Sequence, residues 1–104
     1  MGIDLPQPIL FEWDEGNQNK SYLKHEVTTK EAEQVFLKKK ALLARDSRHS
    51  YSERRYLIIG LDYQSRLLSI AFTIRKKRVR VISARPASKR ERIIYEKASK
   101  ITKI

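Results

Sequence analysis

The chain has 104 residues, with 23 Lys and Arg against 12 Asp and Glu, a formal charge of +11, and no cysteine. That length suits one domain with a single modest core, and the missing thiols exclude disulfides, thiolate metal sites and cysteine nucleophiles. His25 and His49 are too few for an expected zinc site, no apolar run is long enough for a bilayer, and Met1–Ile9 lacks the basic-then-apolar order of a signal peptide, so a soluble cytoplasmic protein with no cofactor or metal is expected.

In chain order, the apolar run Ile9–Trp13 predicts a short edge strand. Asp14 can cap a helix through about Lys24, with Gly16 and Asn17 lowering its propensity. Thr28-x-x-Glu31 is a capping box, flanked by Val27 and Ala32 at the positions of a hydrophobic staple. Ala32, Val35 and Phe36 then form one apolar stripe, and Lys38-Lys39-Lys40 ends the helix with cations that suit its dipole. Ala41–Arg45 predicts a further strand before the polar loop Asp46–Glu53.

Arg55–Leu61, Arg66–Ile74 and Arg78–Ala84 are rich in β-branched, aromatic and leucine residues and predict three strands. The connections Asp62–Ser65 and Arg75–Lys77 are short enough to be hairpins, which makes the pairing antiparallel. Ser88-x-x-Glu91 is a second capping box, opening a last helix with Ile94, Tyr95, Ala98 and Ile101 on one side. Lys97–Ile104 is expected to be a frayed tail. The fold class expected is α+β: one domain, a small antiparallel sheet with two N-terminal helices and one C-terminal helix.

The charge is unevenly placed. Residues 1–37 hold seven acids and three lysines, a net of −4, so residues 38–104 carry 20 bases and five acids, a net of +15. Between Arg75 and Arg92, nine of eighteen residues are basic and only Glu91 is acidic. Such a surface points to a polyanionic partner, with nucleic acid first and an anionic membrane surface or an acidic protein next.

Several segments, in order, resemble the BrnT family of bacterial type II toxins. Phe11-Glu12-Trp13-Asp14 is similar to its opening motif, and Lys24-His25 followed by Val27 resembles its Lys-His-Gly-Val element. Glu31-Ala32 and Val35-Phe36 match the next helix. Asp46, His49-Ser50, Arg55-Tyr56 and Ile59-Gly60 resemble the middle block. Arg80–Arg85, then Ala87-Ser88 and Glu91-Arg92, resemble the closing block, the most specific part. Two departures stand out. Glu26 replaces the usual glycine, where a left-handed conformation would cost Glu about 1 kcal/mol that Gly avoids. Arg54 replaces a position often acidic in the family, which removes one candidate general base.

The resemblance implies a RelE-like ribonuclease fold and an RNA-cleaving toxin that inhibits translation. It further implies neutralisation by a BrnA-like ribbon-helix-helix antitoxin, with operator DNA bound only through the toxin–antitoxin complex and no part for a membrane.

Metal-free RNA cleavage needs a base for the 2′-OH, an acid for the departing 5′-oxygen and cations for the charge developing at phosphorus. His25 can move a proton near neutrality; the competing explanation is a cation placed at a helix end. Lys24 can hold a phosphate as a point charge, or be a solvated helix lysine. Arg55, Arg80 and Arg85 are the arginine candidates, since a guanidinium offers paired hydrogen bonds to phosphate. Their structural alternative is a solvated strand face, or pairing with Glu91 or Glu53. Arg78 and Arg80 share a strand face opposite Val79 and Val81, and Arg85 is expected just past the strand end.

Lys76, Lys77, Arg78, Lys89 and Arg90 are assigned general attraction to RNA. Glu91 is expected chiefly as the capping partner of Ser88, Glu53 as an arginine partner, and Tyr56 and Trp13 as core residues that could otherwise stack on a base; His49 is a weaker candidate. Besides the ribonuclease toxin, two other functions fit the charge: a non-catalytic basic nucleic-acid-binding module, and a protein-interaction subunit whose basic face docks an acidic partner.

Overall fold

The computed structural model describes residues 5–13, 25–38, 40–45 and 54–102. Among them, strand β1 (Phe11–Glu12) is followed by helix α1 (Thr29–Lys38) and strands β2 (Ala41–Arg45), β3 (Tyr56–Leu61), β4 (Leu67–Arg75) and β5 (Arg78–Pro86). Helix α2 (Lys89–Thr102) ends the described chain, so the segment from Lys97 is helical as far as Thr102. The helix expected over Asp14–Lys24 and the loop expected over Asp46–Glu53 lie outside the described residues. The class is α+β, with a five-stranded sheet in the order β1-β5-β4-β3-β2.

The sheet is mixed rather than antiparallel. Strands β2 to β5 pair antiparallel in succession, but β1 lies parallel to β5, with Phe11 opposite Val79 and Glu12 opposite Arg80. Parallel neighbours need a long crossover instead of a tight turn, and residues 13–77 separate these two strands.

Both capping boxes form. The Thr28 hydroxyl accepts the Glu31 amide at 3.1 Å, and the Glu31 carboxylate accepts the Thr28 amide at 2.9 Å. At α2 the Ser88 hydroxyl accepts the Glu91 amide at 3.1 Å, and Glu91 returns the bond to the Ser88 amide at 2.9 Å. Each reciprocal pair satisfies amides that the first helical turn would leave unbonded.

One sheet face carries the core. Ala32, Val35 and Phe36 of α1 are buried against Ile58, Leu68, Ile70, Phe72, Val79, Val81 and Ala84. Phe36 meets Phe72 edge-on, with ring centres 5.0 Å apart, and Phe11 meets Phe36 likewise at 5.4 Å. Gly60 permits the close approach of helix and edge strand: a Cβ there would stand 2.8 Å from Ala41 Cβ and 3.0 Å from a Val35 methyl. Trp13 packs against this core, and its indole Nε1 donates to Glu33 at 2.8 Å, tying the segment after β1 to α1.

A bulge sets the sidedness of β5. Ala71 lies opposite Ser83 and Phe72 opposite Val81, so Ile82 is the extra residue. Val79 and Val81 point to the core before it and Ala84 after it, a switch of parity that a regular strand cannot make.

Candidate active site

The bulge places Arg80 and Arg85 on the same face of the sheet although they are five positions apart. Their β4 partners, Thr73 and Ser69, are both buried and point to that face, away from the core. Arg85 lies within β5 and not beyond its end, because the strand continues through Pro86.

Arg85 is engaged. Its Nη1 donates to Glu91 Oε1 at 2.8 Å and its Nη2 to Glu91 Oε2 at 2.9 Å, while Nη1 also reaches the Pro86 carbonyl at 3.2 Å. The Ser69 hydroxyl donates to Glu91 Oε2 at 3.1 Å. Burial by itself pushes the Glu91 carboxyl up. The Arg85 hydrogen bond, the Ser88 amide, the Arg85 charge and the Ser69 hydroxyl outweigh burial and hold the carboxyl at about 2. Glu91 hydrogen bonding in turn raises Arg85 above its usual value, against the opposing effect of burial. Glu91 is therefore ionised at neutral pH and is no proton donor there.

A guanidinium has five N–H donors. The bonds to Glu91 and Pro86 use both Nη1 hydrogens and one Nη2 hydrogen. Left over are the Nε hydrogen and the outer Nη2 hydrogen, which together form a second fork of the kind that grips phosphate. The Arg85 side chain is 40% exposed.

His25 stands at the same end of the sheet, held through its backbone. Arg66 donates from Nη2 to the His25 carbonyl at 2.9 Å and from Nη1 to the Glu26 carbonyl at 3.0 Å. Glu26 has φ of 56°, the left-handed conformation that the family's glycine would adopt without strain. Arg66 is aimed by the hairpin between β3 and β4. Buried Asp62 accepts the amides of Gln64 and Arg66 on Oδ1, each at 2.9 Å, and Ser65 takes φ of 66° to close the turn. Lys38 and Gln34 of α1 brace the same turn, Lys38 Nζ donating to the Asp62 carbonyl at 3.3 Å and Gln34 accepting the Tyr63 amide at 3.0 Å.

Neither Asp62 nor Arg66 is marked in the sequence as more than a turn residue. The one sequence signal nearby is the left-handed Glu26, which marks a bend of the chain where a carbonyl leaves the local helical pattern.

The remaining candidates divide by place. Arg55, Tyr56, Lys76, Lys77, Arg78 and Arg80 gather at the opposite end of the sheet, toward the β4–β5 turn. Arg80 donates to Glu12 of β1 at 3.2 Å, across the parallel pair. Tyr56 packs on Phe72 with ring centres 5.5 Å apart, so its ring belongs to the core. The segment before it is anchored by buried Thr73, whose hydroxyl donates to the Arg54 carbonyl at 2.8 Å. Lys89 and Arg90 are exposed in the first turn of α2, where the helix dipole disfavours cations. Lys24, His49 and Glu53 lie outside the described residues.

Residues 13–91 match the family described as the ribonuclease toxin BrnT of type II toxin–antitoxin systems. The chain belongs to the BrnT family. The matched span covers the segment carrying His25, the hairpin that holds it, and the whole of β5 through Glu91. Membership makes this chain a ribonuclease toxin and implies an RNA substrate and an antitoxin partner. No individually curated protein gives a match to the chain. No helix among the described residues is long and apolar enough to cross a membrane.

Proposed function

We propose that this BrnT protein is a metal-independent endoribonuclease of RelE-like fold that inhibits translation and is neutralised by a BrnA-like antitoxin. The observation that carries the reading is the second fork of Arg85, placed by Glu91 on a side chain 40% exposed, at the end of the sheet where Arg66 holds the His25 backbone. A scissile phosphate seated on that fork has its developing charge met by a guanidinium that remains cationic at any physiological pH.

In the reaction proposed, the 2′-oxygen attacks phosphorus as its proton leaves, and the bond from phosphorus to the 5′-oxygen breaks as that oxygen gains a proton. The products are a 2′,3′-cyclic phosphate and a 5′-hydroxyl. His25 handles one of the two protons. Lys24, adjacent in sequence, supplies charge to the phosphate, and Arg55 and Arg80 extend the cationic face along which the RNA lies. Glu91 acts on Arg85, not on RNA.

The test is incubation of the purified protein with a single-stranded RNA in the presence of EDTA, with the termini of the products identified. Cyclic phosphate ends are expected. Arg85→Ala is expected to lower the cleavage rate by on the order of 100-fold or more, as loss of an oxyanion donor does, and to abolish growth arrest on expression. Intact RNA with the native protein, or a folded Arg85→Ala variant that cleaves at the native rate, would overturn the proposal.

A further inference from the structure

The β4–β5 turn combines charge and strain in a way that the chemistry at the other end of the sheet does not call for. Arg75, Lys76, Lys77 and Arg78 are four consecutive cations, and all four are exposed. Arg75 and Arg78 close the ladder opposite one another, so like charges face across the last strand pair, an arrangement that destabilises a hairpin. The two lysines between them have φ of 52° and 63°. Two successive left-handed residues define the type I′ hairpin turn, for which Asn-Gly is the favoured pair because neither residue is strained there. Lysine has no such tolerance and no local hydrogen bond to offer in return. On stability grounds alone this is the wrong sequence for the turn. The sequence has no acidic residue between Asp62 and Glu91.

The turn also lies far from the proposed chemistry. Arg78 and Arg85 are seven positions apart on one strand, roughly 20 Å at the usual rise. Between them Arg80 lies on the same face as Arg85, so a cationic stripe runs from the tip toward the second fork of Arg85.

We propose that the tip Arg75–Arg78 is a separate docking site for the RNA backbone, gripping phosphates several nucleotides away from the bond that is cut. It reads charge and not base sequence, since all four residues are cations and none is aromatic. The inference rests on the ribonuclease reading for the identity of its ligand.

The experiment replaces the turn by its own favoured sequence, Lys76→Asn with Lys77→Gly, in the full-length chain. Binding is followed by fluorescence anisotropy with a labelled 20-nucleotide single-stranded RNA whose 2′-positions are methylated, which removes the nucleophile and prevents cleavage. A labelled tetranucleotide of the same chemistry is the short probe. A second variant, Lys30→Gln with Lys97→Gln, removes the same charge from exposed sites on the two helices.

The turn variant is expected to melt about 5 °C higher, as a relieved turn should for a domain of this size. It is expected to bind the long RNA on the order of ten-fold more weakly, with the salt dependence of log K reduced by about 1.4, two single-strand phosphate contacts. Binding of the tetranucleotide stays as in the native protein, and the helix variant keeps most of its affinity for the long RNA. Native affinity and salt slope in the turn variant would overturn the proposal, as would an equal loss in the helix variant. Tighter binding of a Glu-rich peptide than of RNA, with the same dependence on the turn, would assign the tip to an acidic protein instead. A native protein that binds the long RNA through the tip but leaves cleavable RNA intact would remove the ribonuclease reading and leave the tip as an RNA site. Native cleavage without any effect of the turn does the reverse.

Discussion

One carboxylate, that of Glu91, closes a helix cap, forks with Arg85 and receives the Ser69 hydroxyl. The capping role alone would leave Glu91 replaceable by Gln at little cost, since a capping box accepts either. The fork with Arg85 makes the charge matter. Because the folded carboxyl is held at about 2, below its ordinary 4.5, the pair stabilises the fold fully above 4.5, and that contribution is lost as pH falls toward 2. Glu91→Gln should therefore melt below the native protein at neutral pH, and the gap should close between about pH 4.5 and pH 2. Thermal melts of both proteins across that range check it; a gap that does not change with pH would show that the charge adds nothing. The capping box itself was readable in the sequence, because its members are three residues apart. The salt bridge was one of two alternatives for Arg85, and the strand geometry that selects it is not local.

At the scale of elements, the β3–β4 hairpin is the structure's clamp on His25. Its turn is organised by Asp62, braced by α1 and pointed by Arg66 at two carbonyls about 40 residues earlier in the chain. The proposed catalysis gives that clamp a measurable consequence. Arg66→Met should lower kcat for RNA cleavage by on the order of 10- to 100-fold, since small displacements of a proton-transfer group are costly. KM should change little, because the phosphate contacts lie on other residues. Arg66→Lys should recover part of the rate through one of the two bonds. A variant with native kcat, or one whose loss follows its melting temperature and not the kcat and KM split, would reduce Arg66 to a structural residue.

The hairpins and both described helices were legible in the sequence, because turn residues, caps and apolar periods are short-range signals. The contact of Arg66 with His25 and the parallel pairing of β1 with β5 were not, for each joins segments that no local pattern relates. Glu26 is the intermediate case: the replaced glycine told where a left-handed residue would be, but not what would hold its carbonyl.

For the molecule as a whole, the two proposals together give the sheet a cationic grip at each end, Arg85 at one and the β4–β5 turn at the other. Among the described residues the sheet's two edge strands differ. The first, β1, is only two residues long, whereas β2 presents a full strand edge. Ile93 and Ile94 of α2 are 52% and 47% exposed. A toxin of a type II pair spends its inactive life in complex, and apolar side chains and strand edges of this kind are the surfaces that partners cover. The complex with the antitoxin should accordingly melt at least about 10 °C above the toxin alone when the partner exceeds its dissociation constant a hundred-fold. Equal midpoints by scanning calorimetry would refute it. The segregation of charge, acidic before residue 38 and basic after it, was plain from composition. The division of the basic half into two separated grips needed the register of β5.

The bulge at Ile82 bears on how this strand can change over evolutionary time. Five positions separate Arg80 from Arg85, and they share a face only because Ile82 is left out of the pairing. Loss of that one residue would leave four positions, which a regular strand carries on one face without any bulge. Lineages of this protein can therefore gain or lose the bulge in a single step while Arg85 keeps its face, and what changes with it is the bend and twist of the strand.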